Sequence, residues 1–386
     1  PKSPPAEALS PTREWERGYQ SRSGFGQLKR QLPTASLPEE ILSPGPDRVR
    51  ALVVSGSNPA SAIPDQDQAV RALSALDLLV TVDPFPTETA RLAHYVIAPV
   101  MHLERPDTTR SYEAMFEEPF AQYTPAVVDP PPGVIDDWQF FLRLAWAMGS
   151  TVRVAGREYA PGTPMPTTDE VLASFSTRGR ISIDELRGHP HGLMVEGVEP
   201  SRVGPARDGA NGAFELLAPD VAAELIDARE EAQSTASAEA AESWPFRLIV
   251  RRSKETLNSL GRRVPGLPKH TYNPCFAHPA DLADLGLEAG VLVVVASDHG
   301  RLQAVVEPDE TLRRGVVSMT HAFGGLPGDD DDPRRHGANP TRLLSIDFDT
   351  QAINRMPRMS AVPVTITPVP VRMRPVVTMA EGRTDK

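Results

Sequence analysis

The chain has 386 residues, enough for two or more domains, and a formal net charge of −11 because 51 acidic residues outnumber 40 basic ones. This balance argues against non-specific nucleic-acid binding, which needs a positive surface. No run approaches the roughly 18 apolar residues of a transmembrane helix, so no membrane span is expected. The single cysteine excludes a disulfide within the chain and an iron–sulfur cluster built from this chain alone. It is consistent with a reducing compartment, and with no signal peptide visible we expect a cytoplasmic protein.

Changes of composition along the chain indicate five segments. The N-terminal segment is rich in proline and has no helix or strand pattern, which is typical of a tail or linker. The stretch Ala228–Ser243 is of low complexity, so it is a linker or an exposed helix, and we expect it to be mobile. The predicted segments are a Pro-rich tail or linker (1–46), an α/β nucleotide-binding segment (47–150), an irregular connection and linker (151–244), a β-barrel (245–370) and a tail (371–386).

The stretch Arg48–Glu104 has the pattern of alternating strands and helices. Its apolar runs, rich in Val and Leu and bounded by turn signals, are typical of strands buried on both faces of a parallel sheet. Val70, Leu73 and Leu76 recur at the spacing of an amphipathic helix, and a second helix is predicted to begin near Thr87. The predicted strands are Ala51–Val54, Leu78–Val82 and Tyr95–Ala98, in a β-α-β-α-β order with right-handed crossovers.

The loops that follow these strands carry residues suited to a nucleotide. Open parallel sheets bind ligands at the carboxyl ends of their strands, where such loops gather. Gly56 lets a backbone approach a phosphate, while Ser55 and Asn58 supply short polar groups. Asp83 ends a strand, and its carboxylate can accept two parallel N–H bonds from the edge of a guanine. The alternative is a generic flavodoxin-like layer with ordinary turn residues, because one glycine is a far weaker signal than a GxGxxG motif.

From Trp244 onwards the pattern changes to many short strands with one helix, which favours a closed or nearly closed barrel. The helix is predicted over His278–Leu287, and Ser297–Gly300 is predicted to be the turn of a hairpin. Cys275, in YNPCFAHP, is interpreted as a packing residue. The predicted strands are Phe246–Val250, Val291–Ser297, Arg301–Glu307, Val316–Thr320 and Ala361–Val369.

Two parts of the chain resemble molybdopterin oxidoreductases of the dimethyl-sulfoxide-reductase and formate-dehydrogenase type. The first, within residues 22–150, is SGSNPASAIPD…LDLLVTVDPFPTETARLAHYVIAP…LER. The second, within residues 245–366, is RRSKETLNSLGRR, HPADLADLGLEAG…SDHG, GVVSMTHAFGG and GANPTRLLS…MPRMSAVPV, and it is similar to the pterin-dinucleotide-binding barrel that ends these enzymes. The predicted fold class is therefore α/β, with a parallel-sheet nucleotide-binding segment followed by a double-psi-like β-barrel C-terminal domain.

The resemblance implies the C-terminal cofactor-binding portion of an oxidoreductase that holds molybdenum or tungsten between two molybdopterin guanine dinucleotides. We expect the whole enzyme to catalyse two-electron oxygen-atom or hydride transfer on formate-dehydrogenase-like or nitrate-reductase-like substrates. We expect this chain alone to be inactive. The expected partners are an N-terminal half or a catalytic partner polypeptide, which would carry the iron–sulfur cluster, and an electron-transfer subunit. The first segment, 47–150, would then hold a guanine dinucleotide, and no metal ligand is expected from this chain.

Some positions depart from the family pattern. Val250 stands where the family often has glycine, Leu257 and Leu260 stand in place of Asn and Trp, and Ala322 replaces the first glycine of a His-Gly-Trp-Gly-His motif. These differences motivate an alternative function from another class. In this alternative the chain is a non-catalytic scaffold or assembly subunit that keeps the fold.

The resemblance also implies a set of cofactor-binding residues. Arg252, Asn258 and Ser259 lie where the family contacts its cofactor, and the alternative is a solvated basic loop. Asn339 and Thr341 lie where the family places polar pterin contacts, and the alternative is an ordinary turn before proline. The full set of candidates is Ser55, Gly56, Asn58, Asp83, Thr87, Asp137, Arg252, Asn258, Ser259, His321, Asn339 and Thr341.

Overall fold

The computed structural model describes residues 20–27, 31–109, 119–176, 181–194, 217, 219–233, 242–262, 264, 266, 270, 272–329 and 333–369. The chain divides into two compact units. Unit 1 comprises Pro1–Leu32, Leu37–Pro59 and Arg71–Ile226, and unit 2 comprises Pro33–Ser36, Ala60–Val70 and Asp227–Lys386. The sequence analysis placed residues 60–70 in the α/β segment 47–150, whereas in the structure segment 60–70 belongs to unit 2. Buried polar contacts, described below, account for this placement. The predicted tail 371–386 lies outside the described residues.

The segment predicted as a patternless tail contains a helix in its described part. A 3₁₀ turn, Thr34–Ser36, is followed by helix α1 (Leu37–Leu42). Ile41 is fully buried, and the carboxylate of Glu40 accepts a hydrogen bond of 2.7 Å from the backbone N–H of Arg22. A helix this short shows too few apolar positions for its period to be visible in the sequence.

Unit 1 contains a parallel sheet of three strands, as predicted, and their order in the sheet is β1-β2-β3. Strand β2 is buried at four of its five positions. The expectation that β1 is also buried on both faces was wrong, since β1 lies at the edge of the sheet and Val53 is 37% exposed. The strands are β1 (Ala51–Ser55), β2 (Leu78–Val82) and β3 (Tyr95–Ile97), and α4 (Glu88–Leu92) lies between β2 and β3. Helices α2 (Pro59–Ala62) and α3 (Gln66–Ser74) lie between β1 and β2 in the sequence, and both include residues of segment 60–70, which belongs to unit 2.

The remainder of unit 1 consists of short helices and two-stranded sheets. The strands are β4 (Asp107–Thr108), β5 (Phe120–Ala121), β6 (Tyr123–Thr124), β7 (Val152–Val154), β8 (Arg157–Tyr159) and β9 (Leu193–Met194). Strand β4 pairs with β6, β5 with β9 and β7 with β8. The helices are α5 (Asp137–Ala147), α6 (Thr168–Ser176) and α7 (Ile183–Arg187).

Helix α8 (Pro219–Gln233) covers the beginning of the low-complexity stretch. Residues 228–231 are exposed, in agreement with the alternative of an exposed helix. Residues 234–241 lie outside the described part, so the expected mobility of the stretch stays a prediction. Among the helices that the structure describes, none is long and apolar enough to cross a membrane.

Unit 2 contains a closed six-stranded barrel in the order β10-β14-β11-β13-β12-β15, which confirms the predicted barrel. Alternate residues point inward, so that Leu248, Val293 and Met319 are fully buried in its core. The elements are β10 (Phe246–Arg251), β11 (Pro274–Ala277), α9 (Pro279–Asp284), β12 (Leu292–Ala296), β13 (Arg301–Pro308), β14 (Val316–Thr320), α10 (Pro333–His336) and β15 (Ser360–Pro368), with 3₁₀ turns at Pro327–Asp329 and Pro340–Leu343.

Five of the six barrel strands were predicted, and β11 was missed. Its sequence, PCFA, follows Tyr and Asn and precedes His-Pro, which is a turn signal rather than a strand signal. Cys275 in β11 is fully buried in the barrel core, and burial raises its pKa to about 12. The thiol is therefore protonated and packs as a small apolar side chain, as the sequence suggested.

Candidate functional site

The first candidate loop follows β1. Ser55 is the last residue of the strand rather than part of the loop, and it is exposed. Gly56 has φ +55°, and its backbone N–H donates to the carbonyl of Val82 at 3.0 Å. A Cβ atom at Gly56 would meet nothing within 4 Å in this chain. The left-handed backbone, and not crowding, therefore favours glycine here, and the space beside it is open to a ligand.

The second candidate loop follows β2 and presents a buried carboxylate. Asp83 is 8% exposed, and Oδ1 accepts a hydrogen bond of 2.8 Å from the backbone N–H of Phe85. Oδ2 accepts no hydrogen bond from the residues that the structure describes. Desolvation by burial raises the pKa of this carboxyl group, and the bond from Phe85 opposes the rise. A ligand that offers N–H donors to Oδ2 would stabilise the charged form.

Two other candidates in unit 1 hold the local backbone together. Asn58 is buried, and Nδ2 donates to Oε2 of Glu88 at 2.8 Å. Its Oδ1 accepts from the backbone N–H of Thr89 at 3.1 Å and from the Thr89 hydroxyl at 2.8 Å. Thr87 caps α4, since its hydroxyl oxygen accepts from the backbone N–H of Ala90 at 3.2 Å. These bonds join the loop after β1 to the start of α4.

Asp137, the remaining candidate in unit 1, is part of an ion pair. Its Oδ1 accepts a hydrogen bond of 3.0 Å from Nη1 of Arg105 and one of 2.8 Å from the backbone N–H of Trp138. Arg105 also lies 3.8 Å from Oδ1 of Asp136. The carboxylate of Asp137 thus already has a cationic partner. Arg105, at the end of the LER motif, was not identified as that partner from the sequence.

In unit 2, three candidates share one loop after β10. Leu257 and Leu260 form a turn with reciprocal backbone hydrogen bonds of 3.1 Å and 2.9 Å. Asn258, between them, has φ +53°, a conformation that Asn tolerates better than most residues. Nη1 of Arg252 donates to Oδ1 of Asn258, and both side chains are exposed, whereas Ser259 is half-buried. The loop therefore brings a guanidinium and two short polar groups together at the surface.

His321 follows β14 and is buried, with 6% of its surface exposed. Its backbone N–H donates to the carbonyl of Arg251 at 3.1 Å, whereas Nδ1 has no hydrogen-bond partner among the described residues. Burial and, as the smaller cause, the positive charge of Arg252 together lower the pKa of the imidazole to about 4. The ring is therefore neutral at physiological pH, and one of its nitrogens is available for a ligand.

Asn339 and Thr341 are fully buried in the loop before the last barrel strand. Nδ2 of Asn339 donates to the carbonyl of Ser61 at 2.8 Å, and Oδ1 accepts from the backbone N–H of Thr341 at 3.2 Å. The hydroxyl of Thr341 has no partner among the described residues. The amide of Asn339 therefore holds segment 60–70 within unit 2, whereas Thr341 keeps an unused polar atom.

The structure also shows two buried side chains that the sequence analysis missed. Asn273 bonds the backbone on both sides of His321 and before Asn339, and Gln66 bonds the carbonyl of Gly325 at 3.0 Å. Neither residue lies in a recognisable motif. Asn273 precedes a proline, which is an ordinary turn signal. The twelve predicted residues thus fall into six in unit 1 and six in unit 2.

Comparison with known proteins assigns the barrel. Residues 246–361 match the family described as molydopterin dinucleotide binding domain. This part of the chain belongs to that domain family. Subunit alpha of the F420-dependent formate dehydrogenase 1 of Methanococcus maripaludis is 32% identical over 297 residues, which are 75% of this chain and 40% of that protein.

Two further proteins are similar to this chain at lower sequence identity. Acetylene hydratase of Syntrophotalea acetylenica is 25% identical over 298 residues, which are 72% of this chain and 37% of that protein. The solved structure of acetylene hydratase from Pelobacter acetylenicus matches with a TM-score of 0.67 and 21% identity, over 87% of this chain and 46% of that one. This structural likeness shows the fold alone. The chain spans less than half the length of each of these relatives.

Proposed function

We propose that this chain is the C-terminal cofactor-binding portion of an oxidoreductase that holds molybdenum or tungsten between two molybdopterin guanine dinucleotides. The match of residues 246–361 to the dinucleotide-binding domain carries this proposal. The relative of highest identity described above is named as a formate dehydrogenase subunit, which favours a formate-dehydrogenase-like reaction over a nitrate-reductase-like one. Another relative is named as a hydratase, so the fold by itself does not select the reaction.

Unused polar atoms in unit 2 fit a pterin. Nδ1 of His321 and Oγ1 of Thr341 are buried and have no partner among the described residues, and such atoms are rare unless a ligand or water satisfies them. A pterin edge offers both N–H donors and nitrogen and oxygen acceptors, so a neutral imidazole and a hydroxyl group can each pair with it. The exposed guanidinium of Arg252, with Asn258 and Ser259, suits diphosphate or pterin oxygens.

In unit 1, Asp83 is the residue best suited to hold a guanine. Guanine presents two adjacent N–H groups, and the unused Oδ2 of this buried carboxylate can accept from one of them while Oδ1 shares the other. At the end of the neighbouring strand Ser55 is exposed and Gly56 leaves open space, so a phosphate can approach the backbone there. Asn58 and Thr87 shape this edge, because their polar atoms bond α4.

The bound metal cofactor would supply the two-electron chemistry. The residues of this chain would orient the nucleotide tails and the pterins, and His321 would remain a neutral hydrogen-bonding group while it does so. We further propose that an N-terminal half or a separate catalytic polypeptide completes the enzyme, since the chain spans 37% to 46% of the relatives described above. The name "subunit alpha" of the formate dehydrogenase relative supports an electron-transfer subunit as a second partner.

Co-expression tests the proposed function. The chain would be produced together with a polypeptide that supplies the remaining length of the family, and the purified complex would be assayed for molybdenum, tungsten, formate oxidation and nitrate reduction. We expect metal uptake together with formate-dependent reduction of an artificial electron acceptor. A complex that assembles but never takes up metal would instead support the alternative, a non-catalytic scaffold or assembly subunit.

A further inference from the structure

We propose that Asn273 is a positioning residue for the cofactor, because its buried carboxamide fixes both loops that carry the unused polar atoms of unit 2. One loop follows β14 and contains His321, and the other contains Asn339 and Thr341. The inference rests on the proposed function, since it names the residue that holds the pterin-facing groups of that same site in place.

The side-chain hydrogen bonds of Asn273 all go to these two loops. It is 1% exposed. Nδ2 donates to the carbonyls of Thr320 at 2.8 Å, Phe323 at 3.1 Å and Ala338 at 2.8 Å. Oδ1 accepts from the backbone N–H of Thr320 at 3.0 Å. Because an amide nitrogen carries two hydrogens for these three carbonyls, at least one of its bonds is shared.

The two loops are in direct contact, so a displacement of one loop also displaces the other. A Cβ atom at Gly324 would overlap the backbone nitrogen of Asn339, which explains why the first loop needs glycine there. Ala322, between the loop residues that Asn273 binds, has φ +55°, a strained conformation that persists only where surrounding bonds determine it. Asn273 bonds Thr320 and Phe323, the residues immediately before and after His321 and Ala322, and so fixes the backbone on both sides of these two residues.

Gln66 fixes the far end of the same loop. Its side chain is fully buried, and Nε2 donates to the carbonyls of Gly325 at 3.0 Å and Ala60 at 2.8 Å. Oε1 accepts from Nε of Arg342 at 2.9 Å. The carbonyls of the loop are thus held by side-chain donors on its inner side. His321 and Thr341 receive a defined position without using their own Nδ1 and Oγ1 atoms.

The test compares Asn273→Asp with a core variant of equal stability loss. Asn273→Asp keeps the shape of the side chain but replaces the donor with an oxygen that faces three carbonyls. Gln66→Glu, which keeps the acceptor for Arg342 but loses the donor to Gly325, carries the same test if Asn273→Asp does not fold. Val293→Ala removes methyl groups from strand β12 in the barrel core, at a position outside both loops, and serves as the matched control.

Two readouts are measured, hydrogen exchange of peptides from 320–341 in the full chain and guanine nucleotide retained by the co-expressed complex. At equal loss of melting temperature, we expect about tenfold faster exchange of these peptides in Asn273→Asp than in Val293→Ala. We also expect a correspondingly larger loss of retained nucleotide. Equal exchange and equal retention in the two variants would overturn the inference and leave the proposed function standing. A wild-type complex without guanine nucleotide would overturn both.

Discussion

The backbone N–H of Phe85 donates a hydrogen bond of 2.8 Å to Oδ1 of Asp83, and this bond fixes the carboxylate at the end of β2. Burial nevertheless raises the pKa of Asp83, so its charged form is disfavoured in the folded chain. A carboxyl group with a raised pKa opposes folding above that pKa and ceases to do so once it is protonated. A buried charge that costs stability at a strand end is a candidate ligand group.

We expect Asp83→Asn to lose retained guanine nucleotide about 10- to 100-fold, because a hydrogen bond to a charged group contributes roughly 1.5–3 kcal/mol. The free variant should melt at the same or a higher temperature than the wild type at pH 7, since a desolvated charge is removed, and this gain should disappear at acidic pH. Asp129→Asn, at an exposed loop position, is the control and should change neither property. Unchanged nucleotide retention in Asp83→Asn would refute the guanine assignment.

His321 should make stability depend on pH. Its pKa is lowered to about 4, whereas an unfolded histidine titrates near 6.5, so the unfolded chain binds more protons between these values. Stability is therefore lost as the pH falls from about 6.5 towards 4, by up to roughly 2–3 kcal/mol. His321→Gln should flatten this dependence, measured as urea midpoints at pH 7 and pH 4.5. The exposed His191→Gln serves as control, and an equal slope in all three proteins would contradict the assignment.

Limited proteolysis should cut the chain first within residues 228–243. This stretch is rich in Ala, Glu and Ser and offers little apolar surface to bury, and its described residues 228–231 are exposed. The expected products are fragments that retain the three-stranded sheet and the barrel, identified by mass spectrometry. Earlier cleavage elsewhere, with this stretch intact, would contradict the prediction.

The isolated 386-residue chain should show no oxidoreductase turnover and no bound iron. One thiol does not build an iron–sulfur cluster, and Cys275 has a pKa of about 12 in the barrel core, so no reactive thiolate is offered. The measurements are iron content and formate oxidation with an artificial acceptor. Turnover by the chain alone would show that it is not a dependent portion of a larger enzyme.

The parallel sheet and most of the barrel could be predicted because their strands carry continuous or alternating apolar patterns. Strand β11 could not, since Pro274 and Cys275 show a turn signal and their burial depends on neighbours distant in sequence. The sequence did not predict that segment 60–70 belongs to unit 2 either. It follows from single polar side chains such as Gln66 and Asn339, whose partners lie more than 250 residues away along the chain.

The candidate site was predicted only in part for the same reason. A motif identifies the residue types, so that Asp83 and His321 were named from the sequence. It does not show which polar atoms are already used. The bonds of Asn58 and Asn339 to their own unit, and the unused Nδ1 of His321, became visible only in the structure.

The most direct test of the central claim is the ratio of guanine nucleotide to metal in the purified co-expressed complex. Acid hydrolysis releases GMP from a molybdopterin guanine dinucleotide, and elemental analysis counts molybdenum and tungsten in the same sample. A cofactor of two dinucleotides on one metal predicts about two guanines for each metal ion, with Asp83→Asn lowering the guanine content. An assembled complex that contains neither guanine nucleotide nor metal would contradict the proposed function.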